Sequence, residues 1–126
     1  MELYKTCRAC REIRDRAAFA RNASSPDGLR SECRACRSNA DRSYLLRRRF
    51  GISVEDYDTM LAAQGGKCAL CSAQVPGGRW TRFHVDHCHD TGRVRGLLCY
   101  SCNSALGALG DTEESIAKVL AYVANP

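Results

Sequence analysis

The sequence predicts a small α+β protein stabilised by zinc, and three observations predict it. Nine cysteines stand among 126 residues, eight of them in four C-x2-C pairs. A chain this short buries too little apolar surface to dispense readily with a metal or disulfide staple. Finally, apolar residues at helical spacing give way near residue 80 to β-branched and aromatic runs around a turn, and then return to helical spacing.

The elements follow in order. Cys7-Arg8-Ala9-Cys10 and Cys33-Arg34-Ala35-Cys36, separated by 22 residues, make a first zinc site, because two tight turns can deliver four tetrahedral thiolates. Ser24-Ser25-Pro26-Asp27-Gly28 marks a turn inside that loop. Residues 37–50 lack Gly and Pro and read as a helix, with Tyr44, Leu45 and Leu46 set among Arg42, Arg47, Arg48 and Arg49. Its arginines form either a solvated face or a phosphate-contacting one. Ser53 offers an N-cap with Asp56 three residues on, and Val54, Tyr57, Met60 and Leu61 continue a second helix that Gly65-Gly66 stops.

Cys68-Ala69-Leu70-Cys71 and Cys99-Tyr100-Ser101-Cys102, with 27 residues between them, make a second zinc site. Strands are expected over 79–87 and 93–98, joined at Asp90-Thr91-Gly92. A helix beginning near Cys102 carries Asn103, Ala105, Leu106 and Leu109. The last segment, capped by Asp111 or Thr112, sets Ile116, Val119, Leu120 and Val123 on one helical stripe. Core packing is the expected role of that stripe, with homodimerisation the alternative.

Charge is unevenly spread. Residues 1–50 hold 13 Lys and Arg against 6 Asp and Glu, a net of +7, whereas residues 51–126 hold 6 against 8, a net of −2. The N-terminal part, residues 1–49, therefore reads as a basic four-cysteine module that binds DNA, and residues 50–126 as the part that carries the chemistry. The odd cysteine count and the lack of an apolar run long enough for a signal peptide or a membrane span argue against a secreted disulfide framework. A soluble, intracellular protein without a membrane partner is expected.

Val85-Asp86-His87-Cys88-His89 lies between the second set of cysteine pairs, and Asn103 follows the last cysteine directly. A carboxylate, an imidazole and an amide at these places suit phosphodiester hydrolysis: an oxygen ligand, a general base and a second oxygen ligand for a hard divalent ion. His87 is the expected base, Asp86 and Asn103 the magnesium ligands, and His89 a support for phosphate or metal-bound water. In a regular strand Asp86 and His87 would face opposite ways, so the strand must end or twist there. Four cysteines already satisfy a tetrahedral zinc, which leaves the histidines free. Arg93 and Arg95 alternate on the second strand as phosphate contacts, or one pairs with Asp90. His84 is structural or peripheral, Cys88 a buried thiol, and Arg79-Trp80-Thr81-Arg82 an aromatic with two cations that is either a DNA contact or a packing anchor. A zinc-stapled nucleic-acid-binding module without catalysis is the alternative, but such a module has no need of a base and metal ligands together.

Read as a whole, Phe50-Gly51-Ile52, Gln64-Gly65-Gly66-Lys67-Cys68, His84 to His89, Thr91-Gly92-Arg93-Val94-Arg95-Gly96-Leu97-Leu98-Cys99 and Cys102-Asn103 resemble the phage recombination endonuclease VII family, within the HNH or His-Me finger nucleases. The resemblance spans about residues 50 to 110. It implies a ββα-metal core with one zinc as scaffold, magnesium at a DNA-cleaving centre, and 5′-phosphate and 3′-hydroxyl products. It also implies branched or nicked duplex DNA as a candidate substrate, and the cytoplasm of a bacterial or phage-infected cell as the setting.

Overall fold

The computed structural model describes residues 2–125, which divide into two compact units, Met1–Arg49 and Phe50–Pro126. In the first, β1 (Tyr4–Thr6) pairs antiparallel with β2 (Ile13–Asp15), and β3 (Phe19–Arg21) with β4 (Leu29–Cys33). Cys7 to Cys10 form the tip of the first hairpin. There the Arg11 N–H donates to the Cys7 carbonyl at 2.9 Å, with Arg11 in the left-handed region at φ 64°. Cys7, Phe19 and Cys33 are fully or almost fully buried, with Ala18, Leu29 and Cys36 packed against them. The core of this unit is thus largely its cysteine cluster, as expected of a module too small to bury a larger one.

Helix α1 (Arg34–Phe50) starts three residues earlier than the sequence suggested. The reason is local: Cys33 closes β4, and a helical turn is what carries Cys36 round to the other sulfurs. Arg47, Arg48 and Arg49 occupy its last turn.

In the second unit, α2 (Val54–Ala63) is capped as expected, with a reciprocal box between Ser53 and Asp56. Tyr57 is buried and its hydroxyl donates to the Phe83 carbonyl at 2.7 Å. Gln64 ends the helix and joins three segments: its Nε2 donates to the Lys67 and Leu97 carbonyls, and its Oε1 accepts from the Leu97 N–H at 2.9 Å. Strand β5 (His84–His87) pairs antiparallel with β6 (Val94–Leu98), and α3 (Tyr100–Ala108) follows. This is a ββα unit. Leu97 and Leu98 are buried beneath it.

Both strands are shorter than expected. Residues 79–83 are irregular, with Trp80 against Tyr100, and Arg93 precedes β6 rather than lying on it. Helix α3 starts at Tyr100 instead of near Cys102 because Cys99 is its N-cap, with Sγ accepting from the Cys102 N–H at 3.4 Å. Helix α4 (Glu113–Ala124) is capped by Thr112, boxed with Ser115. Core packing of its stripe holds only in part: Ile116 and Val119 are half-buried, while Leu120 and Val123 are 68% and 73% exposed. Among the described residues no helix is long and apolar enough to cross a membrane.

Candidate active site

The two four-cysteine clusters form as the spacing predicts. Within each, one sulfur per cysteine lies within 4.8 Å of all the others. Cys7 and Cys36 are 3.9 Å apart and Cys71 and Cys99 3.7 Å. A zinc with bonds of about 2.3 Å sets tetrahedral sulfurs about 3.8 Å apart, so both clusters fit structural zinc. Backbone amides reinforce the fit. The Cys33 N–H donates to Cys7 Sγ at 3.3 Å, and hydrogen bonds led by the Cys10 and Cys33 backbone lower the Cys7 thiol to about 6. Burial pushes the Cys68 thiol up, but amides of Cys71, Cys99 and Leu70 outweigh it and bring that thiol also to about 6. Cys36 and Cys102 are held at about 12, the first mainly by its sulfur neighbours and the second mainly by burial. A cation at the centre would let all four ionise together, since metal binding displaces thiol protons.

Three of the candidate residues, Asp86, His87 and His89, lie at the end of the β5–β6 hairpin. Asp86 stands opposite Gly96 and His87 opposite Val94, so Arg95 is an extra residue and the ladder bulges there. A bulge re-aims the side chains beside it, which meets the requirement that β5 not run regularly through Asp86 and His87.

Asp86 is buried at 8% exposure, and both its oxygens accept from Arg95: Nε to Oδ2 at 2.7 Å and Nη2 to Oδ1 at 2.9 Å. Arg95 Nη2 also pairs with Asp111 Oδ1. The other oxygen of Asp111 takes His89 Nδ1 at 2.5 Å. The His89 ring lies 4.9 Å from that of His87, which meets Phe50 on another side at 5.3 Å. One chain of contacts thus runs Asp86, Arg95, Asp111, His89, His87. It holds Asp111 below the usual carboxylate range, through hydrogen bonds first from Arg95 and then from His89. The same carboxylates, Asp86 first, raise Arg95 further above its ordinary value.

Arg95 is therefore placed otherwise than expected. It is engaged by two carboxylates at the site, and its pairing is with Asp86 and Asp111, not Asp90. Arg93 is exposed in the turn. Asn103 stands half-buried on the first turn of α3, its N–H on the Cys99 carbonyl at 3.0 Å, outside the chain of contacts. That turn is fixed by two sulfurs of the second cluster, so the cluster positions Asn103. The donor set fits a hard divalent ion: a carboxylate and an amide supply oxygen, and magnesium commonly takes one or two protein oxygens and completes its shell with water and phosphate. Asp86, whose two oxygens also accept from Arg95, and Asn103 are the residues that could hold it.

Asp111 and Phe50 belong to the site although the sequence did not mark them for it. Asp111 was legible only as a cap, and nothing in its sequence neighbourhood points back to a hairpin 16 residues earlier. Cys88 is half-buried rather than buried. It sits in the hairpin turn, its thiol lowered by hydrogen bonds led by the Thr91 side chain. His84 is not peripheral: its ring meets Trp80 at 4.8 Å and Tyr100 at 6.1 Å.

Known proteins extend this picture. The Gene 59 proteins of Mycobacterium phages D29 and L5 are each 41% identical to the chain over 78 residues, covering 61% of it and 46% of theirs. The chain thus spans about half the length of these relatives. A looser likeness, with TM-score 0.40 and 27% identity over 96% of this chain and 65% of the other, is to the crystal structure of the ββα-Me type II restriction endonuclease Hpy99I. Residues 43–125, about two thirds of the sequence and the whole of the bulged hairpin, the second cysteine cluster and α3, match the recombination endonuclease VII family, and to that family the chain belongs.

Proposed function

We propose that the chain is a divalent-metal-dependent DNA endonuclease, with His87 as general base. The observation that carries this reading is the bulge at Arg95. It sets Asp86 and His87 at the end of β5, beside a helix whose first turn bears Asn103 and is pinned by cysteines. His87 takes the proton of the attacking water, which a positioned imidazole can do near neutral pH. Contacts with Phe50 and His89 restrict the tilt of its ring. Asp86 and Asn103 hold the ion, for which magnesium is the expected identity; when bound it offsets charge on the scissile phosphate and the leaving oxygen. Arg95 fixes the Asp86 carboxylate, and Asp111 fixes Arg95 and His89.

Residues 1–49 act as a DNA-binding arm in this reading. Their charge of +7 is concentrated where Arg47, Arg48 and Arg49 lie exposed, with Arg42 one turn earlier. Arg48 is braced by the Tyr44 hydroxyl at 2.6 Å. Arg93 is held by its backbone, its carbonyl accepting from the Cys88 N–H at 2.8 Å, while its side chain is exposed and suits a phosphate contact. Branched or nicked duplex is the proposed substrate, and both cysteine clusters are proposed to hold zinc.

The test is cleavage of linear, nicked, single-stranded and four-way-junction DNA with and without magnesium. His87→Ala should lower single-turnover cleavage roughly 10²- to 10⁴-fold with zinc content and DNA affinity unchanged. Wild-type cleavage by His87→Ala would sink the catalytic assignment and leave a zinc-stapled binding module.

A further inference from the structure

Trp80, His84 and Tyr100 form a triangle of rings beside the candidate site. Trp80 and Tyr100 are nearly parallel, 25° apart with centroids at 6.3 Å, and His84 meets Trp80 edge-on. The triangle is held by backbone: the Tyr100 N–H donates to the Pro76 carbonyl at 2.8 Å, and the Trp80 N–H to that of Gly77 at 3.3 Å. Gly78, at φ +59°, lies so close that a Cβ there would touch both large rings. Yet Trp80 remains 42% exposed and Tyr100 46%. His84 Nε2 is buried and makes no hydrogen bond among the described residues. Rings held rigid, left accessible and packed on an unsatisfied polar atom are unusual for plain packing.

We propose that these three residues form a stacking site for an unpaired nucleobase of the bound DNA, a reading that rests on the proposed nuclease function and gives it a substrate feature. Charge selects a nucleic acid over an apolar protein partner. Residues 72–83 contain Arg79 and Arg82 and no carboxylate, and the Arg79 guanidinium lies 5.2 Å from the Trp80 ring centre. Bases stack on such rings without sequence preference, while arginines track the backbone. A base inside a duplex has both faces covered by its neighbours, so only an unpaired or unstacked one can use the site.

Position supports the same conclusion. His84 and Asp86 lie two residues apart on β5 before the bulge, about 7 Å along one face. Tyr100 and Asn103 lie three apart on α3, again on one face. The same two elements therefore carry both the stacking site and the proposed metal ligands, about two stacked-base steps apart.

Trp80 is the one tryptophan of the chain, so its emission reports the site directly. The full chain would be titrated, without added divalent ion, with a duplex bearing a short single-stranded extension, the same duplex with abasic sugars in the extension, and a blunt duplex. Affinity would be read separately from the anisotropy of labelled DNA. Quenching is expected with the extension alone. Trp80→Leu should weaken binding of the extended duplex roughly 5- to 100-fold. Trp80→Phe should retain it, and both variants should match wild type in zinc content and in blunt-duplex affinity. Equal quenching by abasic or blunt DNA, or an extension affinity that Trp80→Leu leaves unchanged, overturns the stacking site while the nuclease reading stands. Failure of all three DNAs to bind overturns both.

Discussion

Asp111 is the residue at which the charges of the candidate site meet, and its conformation shows the strain of that placement. It is a non-glycine residue at φ 56°, directly after Gly110 at φ 95°, where α3 turns back into α4. Arg95 and His89 both depress its pKa, and the sign of the linkage follows. A carboxylate lowered on folding stabilises the fold above its unfolded value of about 3.9, and that contribution disappears as pH falls through the still lower folded value. Wild type should therefore lose stability below about pH 4. Asp111→Asn should be less stable at neutral pH and should flatten this acid limb, as thermal melts across pH 2–7 would show; parallel limbs in the two proteins would count against the linkage. The neighbouring groups are legible in sequence to different degrees. Asp86, His87 and Asn103 stand out because cysteines frame them, whereas Asp111 gains its role only from the way the chain reverses.

At the scale of elements, one side chain and one glycine hold the hairpin in place. Gln64 bonds both backbone groups of Leu97, a fully buried residue whose carbonyl also accepts from the Ala69 N–H at 3.0 Å, and Gly96 permits its approach, since a Cβ there would sit 3.2 Å from Gln64 Oε1. Gln64→Leu should cost about 1–3 kcal/mol, measured by denaturant unfolding, because it removes the partner of the buried Leu97 N–H while the carbonyl keeps Ala69. Gly110→Ala should destabilise by about 1–3 kcal/mol through backbone strain, aggravated by a Cβ only 2.9 Å from Ser115. A stability within about 0.5 kcal/mol of wild type, the spread of neutral surface changes, would refute either. The elements themselves were largely readable: Ser53 and the pair Asp111-Thr112 announced two caps, and β-branched and aromatic runs around Asp90-Thr91-Gly92 announced the hairpin. Their edges were not, because tertiary demands set them. Cys36 draws α1 forward, Cys99 caps α3, and residues 79–83 leave the strand where Trp80 stacks on Tyr100. The bulge was legible only as a geometric requirement, since a single extra residue in β6 leaves no mark in the sequence pattern.

For the molecule as a whole, metal and charge divide the labour. Elemental analysis should find two zinc ions per chain; stripping them should unfold both units, because structural zinc contributes on the order of 10 kcal/mol to such sites. One ion, or native disulfides, would refute the pairing of the clusters. Removing residues 1–49 should leave the second unit folded with one zinc while weakening DNA binding and flattening its salt dependence, by about 0.9 in the log–log slope for each phosphate no longer neutralised. An unchanged slope would rule out the arm. The two four-cysteine clusters were legible because thiolate spacing is a strict code, and the basic half because charge is counted directly. The exposed Leu120 and Val123 were not, since a stripe of apolar residues specifies a face and not what covers it.

The segment between Cys71 and His84 has a consequence for how a chain with this fold can diversify. It leaves from one cysteine cluster and returns where Phe83 is bound by Tyr57, so both its ends are anchored independently of its length. Closure entropy grows only slowly with added residues. The stretch can therefore be lengthened, shortened or rewritten, changing what the surface beside the hairpin touches, while the hairpin itself is kept.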